Sequence, residues 1–145
     1  NEPYLIEYNI RMGDPECQVI MPRLKTELIK IIDGAIKNKL NKIKIKWNKK
    51  KSMTIVLCTK GYPNKYKKNL PILNLEKIKQ DNDSIIYHAG TKILNKKIFS
   101  NGGRVLSVTC LGENYLSIRK RIIKILKKIN WKHGFFRKDI GWRVI

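Results

Sequence analysis

Polar side chains hold every second position from Glu7 through Asn9 to Arg11, and the run ends on Gly13-Asp14-Pro15. Such alternation has the period of extended chain, in which residues two apart share a face. Gly13 breaks the pattern, and the next three residues read as a helix start. Asp14 serves as N-cap, Pro15 takes the first helical position, and Glu16 puts an acid in the first turn. The chain must therefore pass from strand to helix within a few residues, with Glu7, Asn9 and Arg11 on one side. Leu24, Leu28, Ile31, Ile32 and Ala35 then recur at spacings of three and four, which predicts a helix with one apolar face.

Residues 38 to 51, rich in Lys and Asn, read as a crossing between two units, within which Ile43, Ile45 and Trp47 alternate as a short strand. Strand-like runs follow at Met53 to Thr59, Ser84 to Ala89 and Arg104 to Leu111. They are punctuated by Gly61-Tyr62-Pro63, His88-Ala89-Gly90-Thr91 and Asn101-Gly102-Gly103. Asn114 opens a last helix, with Leu116, Ile122, Ile123, Leu126 and Ile129 as its apolar stripe. The fold class expected is α+β.

Composition narrows the function. With 145 residues and 42% hydrophobic content, the chain can bury one ordinary core and a piece of another. Cys17, Cys58 and Cys110 are odd in number, widely spaced and set among apolar residues, which suits buried thiols in a reducing compartment. Two histidines and no Cys-x-x-Cys pair argue against structural zinc. No apolar run approaches the ~20 residues of a membrane helix, so no membrane partner is expected and the location expected is cytoplasmic. The net charge of +21 invites a nucleic-acid reading, but it comes from 25 Lys against only 7 Arg, spread along the chain without interleaved aromatics. A lysine-rich solvated surface is preferred, and a basic nucleic-acid-binding module is kept as the alternative.

Acids are less evenly spread, since Glu2, Glu7, Asp14 and Glu16 crowd the start of the chain around Arg11. On a strand, Glu7 and Asn9 stand about 6.6 Å apart at Cα, so a carboxylate and an amide oxygen can reach one hard cation such as Mg²⁺. Arg11 adds a fixed positive charge for phosphate or carboxylate oxygens. Gly13 permits close approach of the backbone, and Asp14 can bind an amine if capping leaves it free. Gly102-Gly103-Arg104 offers accessible N–H groups and a guanidinium suited to a sugar phosphate. On spacing alone, blander readings stay open. The first stretch can be the wet side of a half-buried strand, His88 a satisfied core histidine, and Gly102-Gly103 a hairpin turn.

The string from Leu5 to Gln18 resembles the E-x-N-x-R-x-G-D-P-E-x-Q signature of glycinamide ribonucleotide synthetases, of the ATP-grasp superfamily, with Met12 where that family usually has Phe. Gly61-Tyr62-Pro63, His88 to Thr91, Gly102 to Val108 and Arg137 to Trp142 are similar to its later blocks, in the same order. The resemblance implies the end of an ATP-grasp domain over residues 1 to 45 and a β-rich carboxy-terminal domain over 46 to 145. It implies part of an ATP-consuming ligase of purine biosynthesis that joins glycine to 5-phosphoribosylamine through glycyl phosphate. Glu7 and Asn9 would bind Mg²⁺ or Mn²⁺, with Arg11 and Asp14 as catalytic residues. Arg11, Gly13, Asp14, His88, Gly90, Thr91, Gly102, Gly103 and Arg104 would contact substrates. ATP is the implied co-substrate, and an amino-terminal part of the same enzyme the implied partner. The chain alone is expected to be inactive, a noncatalytic fragment is a further alternative, and the Arg137 to Trp142 block suggests that the native carboxy terminus is present.

Overall fold

The computed structural model describes residues 2–79 and 81–145. Strand β5 (Arg104–Gly112) pairs with β1 (Lys51–Thr59) on one edge and β2 (Ser84–His88) on the other, and β6 (Gly134–Phe135) extends the sheet beyond β1. All neighbours are antiparallel. The strand-like runs read from the sequence thus fall on β1, β2 and β5.

Residues opposite one another in an antiparallel ladder share a face. The pairs Met53↔Cys110, Ile55↔Val108 and Leu57↔Leu106 make one apolar face. Helix α3 (Tyr115–Ile129) covers it with Ile118, Ile122, Ile125, Leu126 and Ile129, and these residues form the core. The buried stripe is rotated from the one expected. Leu116 is exposed, while Ile118 and Ile125 turn inward. Asn114 caps the helix by accepting a 2.8 Å hydrogen bond from the Ser117 amide, which relieves one of the unpaired N–H groups of the first turn.

The opposite face pairs Thr54 with Thr109 and Val56 with Ser107, and α1 (Cys17–Ile20) packs against it. Near the end of the β1–β5 ladder the register slips. Leu57 faces Leu106, but Cys58 faces Arg104, leaving Val105 as an extra residue in β5. A bulge of this kind reverses the alternation beyond it. Arg104 consequently shares the α1 face with Cys58, while both Val105 and Leu106 remain buried. A hairpin of β3 (Thr91–Leu94) and β4 (Lys97–Ser100) follows β2. Its two turn residues, Asn95 and Lys96, have φ of 48° and 61°, the left-handed pair that a two-residue hairpin requires.

Three expectations are corrected in the first part of the chain. Residues 2 to 9 form no strand, because a strand needs a partner for its N–H and C=O groups and no described residue supplies one. The helix starts at Cys17 rather than Pro15, and Asp14 does not cap it. The periodic stretch from Leu24 to Ala35 is not one helix. Leu24 is extended and bridges Trp47, the Asn48 amide donates to Arg23 O at 2.7 Å, and the Lys25 amide donates to Lys46 O at 2.9 Å. That pairing absorbs the strand expected over Ile43 to Trp47 and delays α2 (Leu28–Ile36). Leu28, Ile29, Ile32 and Ile36 of α2 are exposed, and only Gly34 is buried, close to Ile43.

Candidate functional site

Glu7, Asn9, Arg11, Gly13, Asp14, Glu16 and Arg104 line an open cleft of about 1040 Å³. Six of these come from one short segment, and Arg104 comes from the far end of the sheet, delivered by the bulge. Asn9 Nδ2 donates to Glu7 Oε1 at 2.8 Å, so the carboxylate and the amide stand side by side as the alternation predicts, although their segment is not in a sheet. Both are exposed, which leaves their oxygen atoms open to solvent and to a cation. Among the described residues no group of three His, Cys, Asp or Glu side chains could hold a metal, so the site offers a pair of hard oxygen donors and no protein cage. That donor set fits Mg²⁺, which keeps waters and phosphate oxygens as its other ligands.

Asp14 is the centre of the hydrogen bonding. Arg104 Nη2 pairs with Asp14 Oδ2 at 3.0 Å, and Arg104 Nη1 donates to the Asp14 carbonyl at 2.7 Å. Gln18 Nε2 donates to the other carboxylate oxygen, Oδ1, at 2.8 Å. Both oxygens of Asp14 are therefore engaged within the chain, one with Arg104 and the other with Gln18. Glu16 accepts from the Gly13 amide at 3.3 Å, and a side chain at Gly13 would come within 2.6 Å of Glu16 Oε2. Among the described residues Arg11 makes one side-chain hydrogen bond, 3.3 Å from Nη1 to Met12 O, which leaves most of its guanidinium donors facing solvent. Gln18 and Glu16 were not singled out from the sequence as site residues. Both stand in the signature string of the sequence, and Gln18, in the first turn of α1, reaches back to Asp14 just before the helix.

The second group of expected residues adjoins the cleft without lining it. The turn from His88 to Thr91 and the segment from Asn101 to Arg104 are laced together, with Gly90 N donating to Arg104 O at 2.9 Å and Asn101 N to Gly90 O at 2.7 Å. His88 Nδ1 lies 3.0 Å from Thr91 Oγ1. A Cβ on Gly90 would stand 2.7 Å from Gly102 Cα and 2.6 Å from Arg104 O, and one on Gly103 would overlap the Tyr62 ring. Gly90, Gly102 and Gly103 thus allow two backbones and an aromatic ring to close up behind Arg104. Burial pushes the Cys58 thiol above its usual range, opposed in part by the Arg104 guanidinium. All three cysteines are free, as expected, with Cys58 and Cys110 buried.

The architecture is that of an α+β domain, and its cleft brings together a carboxylate, an amide and two guanidinium groups. The chain belongs to the family described as "Phosphoribosylglycinamide synthetase, C domain", which matches residues 52–143. It is 42% identical over 143 residues to a phosphoribosylamine–glycine ligase of Agrobacterium fabrum, a match covering 99% of this chain and 33% of the relative. It is 41% identical over 145 residues to the chloroplastic phosphoribosylamine–glycine ligase of Arabidopsis thaliana, covering 99% of this chain and 27% of the relative. The crystal structure of phosphoribosylamine–glycine ligase from Thermotoga maritima is similar with a TM-score of 0.70 at 27% identity, covering 95% of this chain and 33% of that one. The chain therefore spans about a third of the length of these relatives.

Proposed function

We propose that this chain forms the rear wall of the active site of a phosphoribosylamine–glycine ligase, working with an amino-terminal part of the same enzyme. The carrying observation is the convergence of Glu7, Asn9, Arg11 and Asp14 with Arg104 in one cleft, and the printed names of the relatives support the same reading. In the reaction, the carboxylate of glycine takes the terminal phosphoryl group of ATP, releasing ADP. The amine of 5-phosphoribosylamine then attacks the glycyl carbonyl and phosphate leaves, so an amide bond replaces the acyl phosphate. This belongs to purine biosynthesis.

Glu7 and Asn9 are the residues that would hold Mg²⁺ or Mn²⁺, which when bound neutralises charge on the phosphate oxygens. Arg11, with its donors facing the cleft, binds and orients anionic oxygens from the other side. Arg104, fixed by Asp14, presents its remaining donor capacity to the phosphate of 5-phosphoribosylamine, and His88, Gly90, Thr91, Gly102 and Gly103 set its position from behind. Catalysis on this pattern is positioning and electrostatics, so no nucleophilic side chain is required. Residues 1 to 45 close an ATP-grasp domain, and 46 to 145 form the carboxy-terminal domain. Among the described residues no helix is long and apolar enough to cross a membrane.

The test is a chimera in which this chain replaces the last third of the Agrobacterium fabrum relative. ATP hydrolysis should require both glycine and 5-phosphoribosylamine, and the 145-residue chain alone should show none. Hydrolysis by the isolated chain, or chimera turnover indifferent to loss of Arg104, overturns the proposal.

A further inference from the structure

A second cavity, of about 570 Å³, lies away from the cleft and is lined by Val19, Ile20, Arg23, Trp47, Ser52 and Tyr115. Its size falls within the range of small-molecule sites. It forms where α1 and the turn after it meet the loop before β1 and the first turn of α3. The Leu24–Trp47 bridge and the Asn48 to Arg23 hydrogen bond fix two of its walls.

Most of the lining is apolar or aromatic, yet two of its polar atoms are buried without a hydrogen-bond partner, Arg23 Nε and Ser52 Oγ. A buried donor with no acceptor loses its hydration for nothing in return. No ion pair among the described residues involves Arg23, although six others are formed elsewhere. Lys51 adds positive charge at the same place, with Nζ 5.2 Å from the centroid of the Tyr115 ring. Donors from Arg23 and Ser52, a cationic rim and two aromatic side chains call for an occupant with a carboxylate at one end and a flat apolar body. Phosphate alone would leave the aromatic walls uncovered.

We propose that this cavity is a binding site for a small planar carboxylate, whose oxygens accept from Arg23 and Ser52 and whose ring lies against Trp47 and Tyr115. It is separate from the ligase cleft, shares none of its residues, and does not depend on the proposed reaction.

Benzoate is a suitable probe and its uncharged isostere benzamide the control, each titrated into the 145-residue chain with amide and indole NMR signals followed. Benzoate should bind saturably, in the millimolar range expected for so small a ligand, moving the signals of Ser52, Trp47 and Tyr115. Benzamide should bind about tenfold or more weakly, as expected when charge-assisted hydrogen bonds are lost. Arg23→Gln should weaken benzoate by a similar factor. Ser52→Ala, a small exchange at a β-strand position, gives a second reading if the arginine variant fails to fold. Equal binding of benzoate and benzamide, absence of saturable shifts, or benzoate affinity unchanged in the Ser52→Ala protein would each overturn the assignment.

Discussion

Arg104 reaches back to Asp14, ninety positions earlier in the chain, with one terminal nitrogen on the carboxylate at 3.0 Å and the other on the backbone carbonyl at 2.7 Å. The two groups are the meeting point of the acid-rich segment at the start of the chain and a central strand of the sheet. Both are partly exposed, so the pair contributes little to stability in water. Its value is in orientation.

In the chimera, Arg104→Ala should raise the Michaelis constant for 5-phosphoribosylamine by roughly ten- to a hundredfold, with much smaller effects on ATP and glycine. Arg104→Lys should recover only part of this, because an ammonium cannot grip Asp14 and a phosphate as a planar fork does. Asp14→Asn keeps the size of the side chain but removes the charge that aims the guanidinium, and should produce a smaller rise in the same constant. Steady-state kinetics with each substrate varied in turn checks the series.

Glu7→Gln and Asn9→Leu should each raise the Mg²⁺ concentration needed for half-maximal turnover and lower the maximum. Since both side chains are exposed and among the described residues hydrogen-bond to each other, melting temperatures should stay the same within error. Metal titrations of activity beside thermal melts separate a ligand role from a structural one.

Gly103→Ala should destabilise the fold by about 1–3 kcal/mol, since the new methyl overlaps the Tyr62 ring in a buried place. Gly90→Ala should cost at least as much, because the obstacle there is backbone, which cannot rotate away. Chemical denaturation would show it. Adding Tyr62→Leu should relieve the first variant and leave the second as it was.

Burial pushes the Cys110 thiol up to about 11 from 9.0, with the Arg121 guanidinium opposing. A raised folded value means that the folded state keeps its proton after the unfolded chain has lost it. The associated stability is therefore complete below pH 9 and is lost as pH rises toward 11, by up to roughly 2–3 kcal/mol. Denaturation midpoints of the wild type and Cys110→Ala compared across this window should converge as pH rises. At pH 8, alkylation should be fastest at the half-buried Cys17 and slowest at Cys110.

The sheet was legible wherever a strand's own residues settle its state. Met53 to Thr59 and Arg104 to Leu111 are rich in β-branched and apolar residues, and both lie inside observed strands. The β3–β4 hairpin escaped notice because its turn is Asn95-Lys96, and lysine in the left-handed region carries no sequence signal. Leu24 was placed in a helix by its spacing, but its bridge to Trp47 decides its state, and a contact across more than twenty residues leaves no local trace. Glu7, Asn9 and Arg11 could be grouped from alternation alone. Arg104 could be joined to them only through a family resemblance, because the element that aims it is a register slip two strands long.

That slip means that β5 serves two masters out of phase. From Leu106 onward its even-numbered residues look toward α3, and before Val105 the parity is exchanged. Were Val105 to pair with Cys58 in an unbroken ladder, Arg104 would fall one place further along and point to the α3 side of the sheet, into hydrocarbon. Register at this one point, more than the identity of any neighbouring side chain, decides which side of the sheet carries the charge.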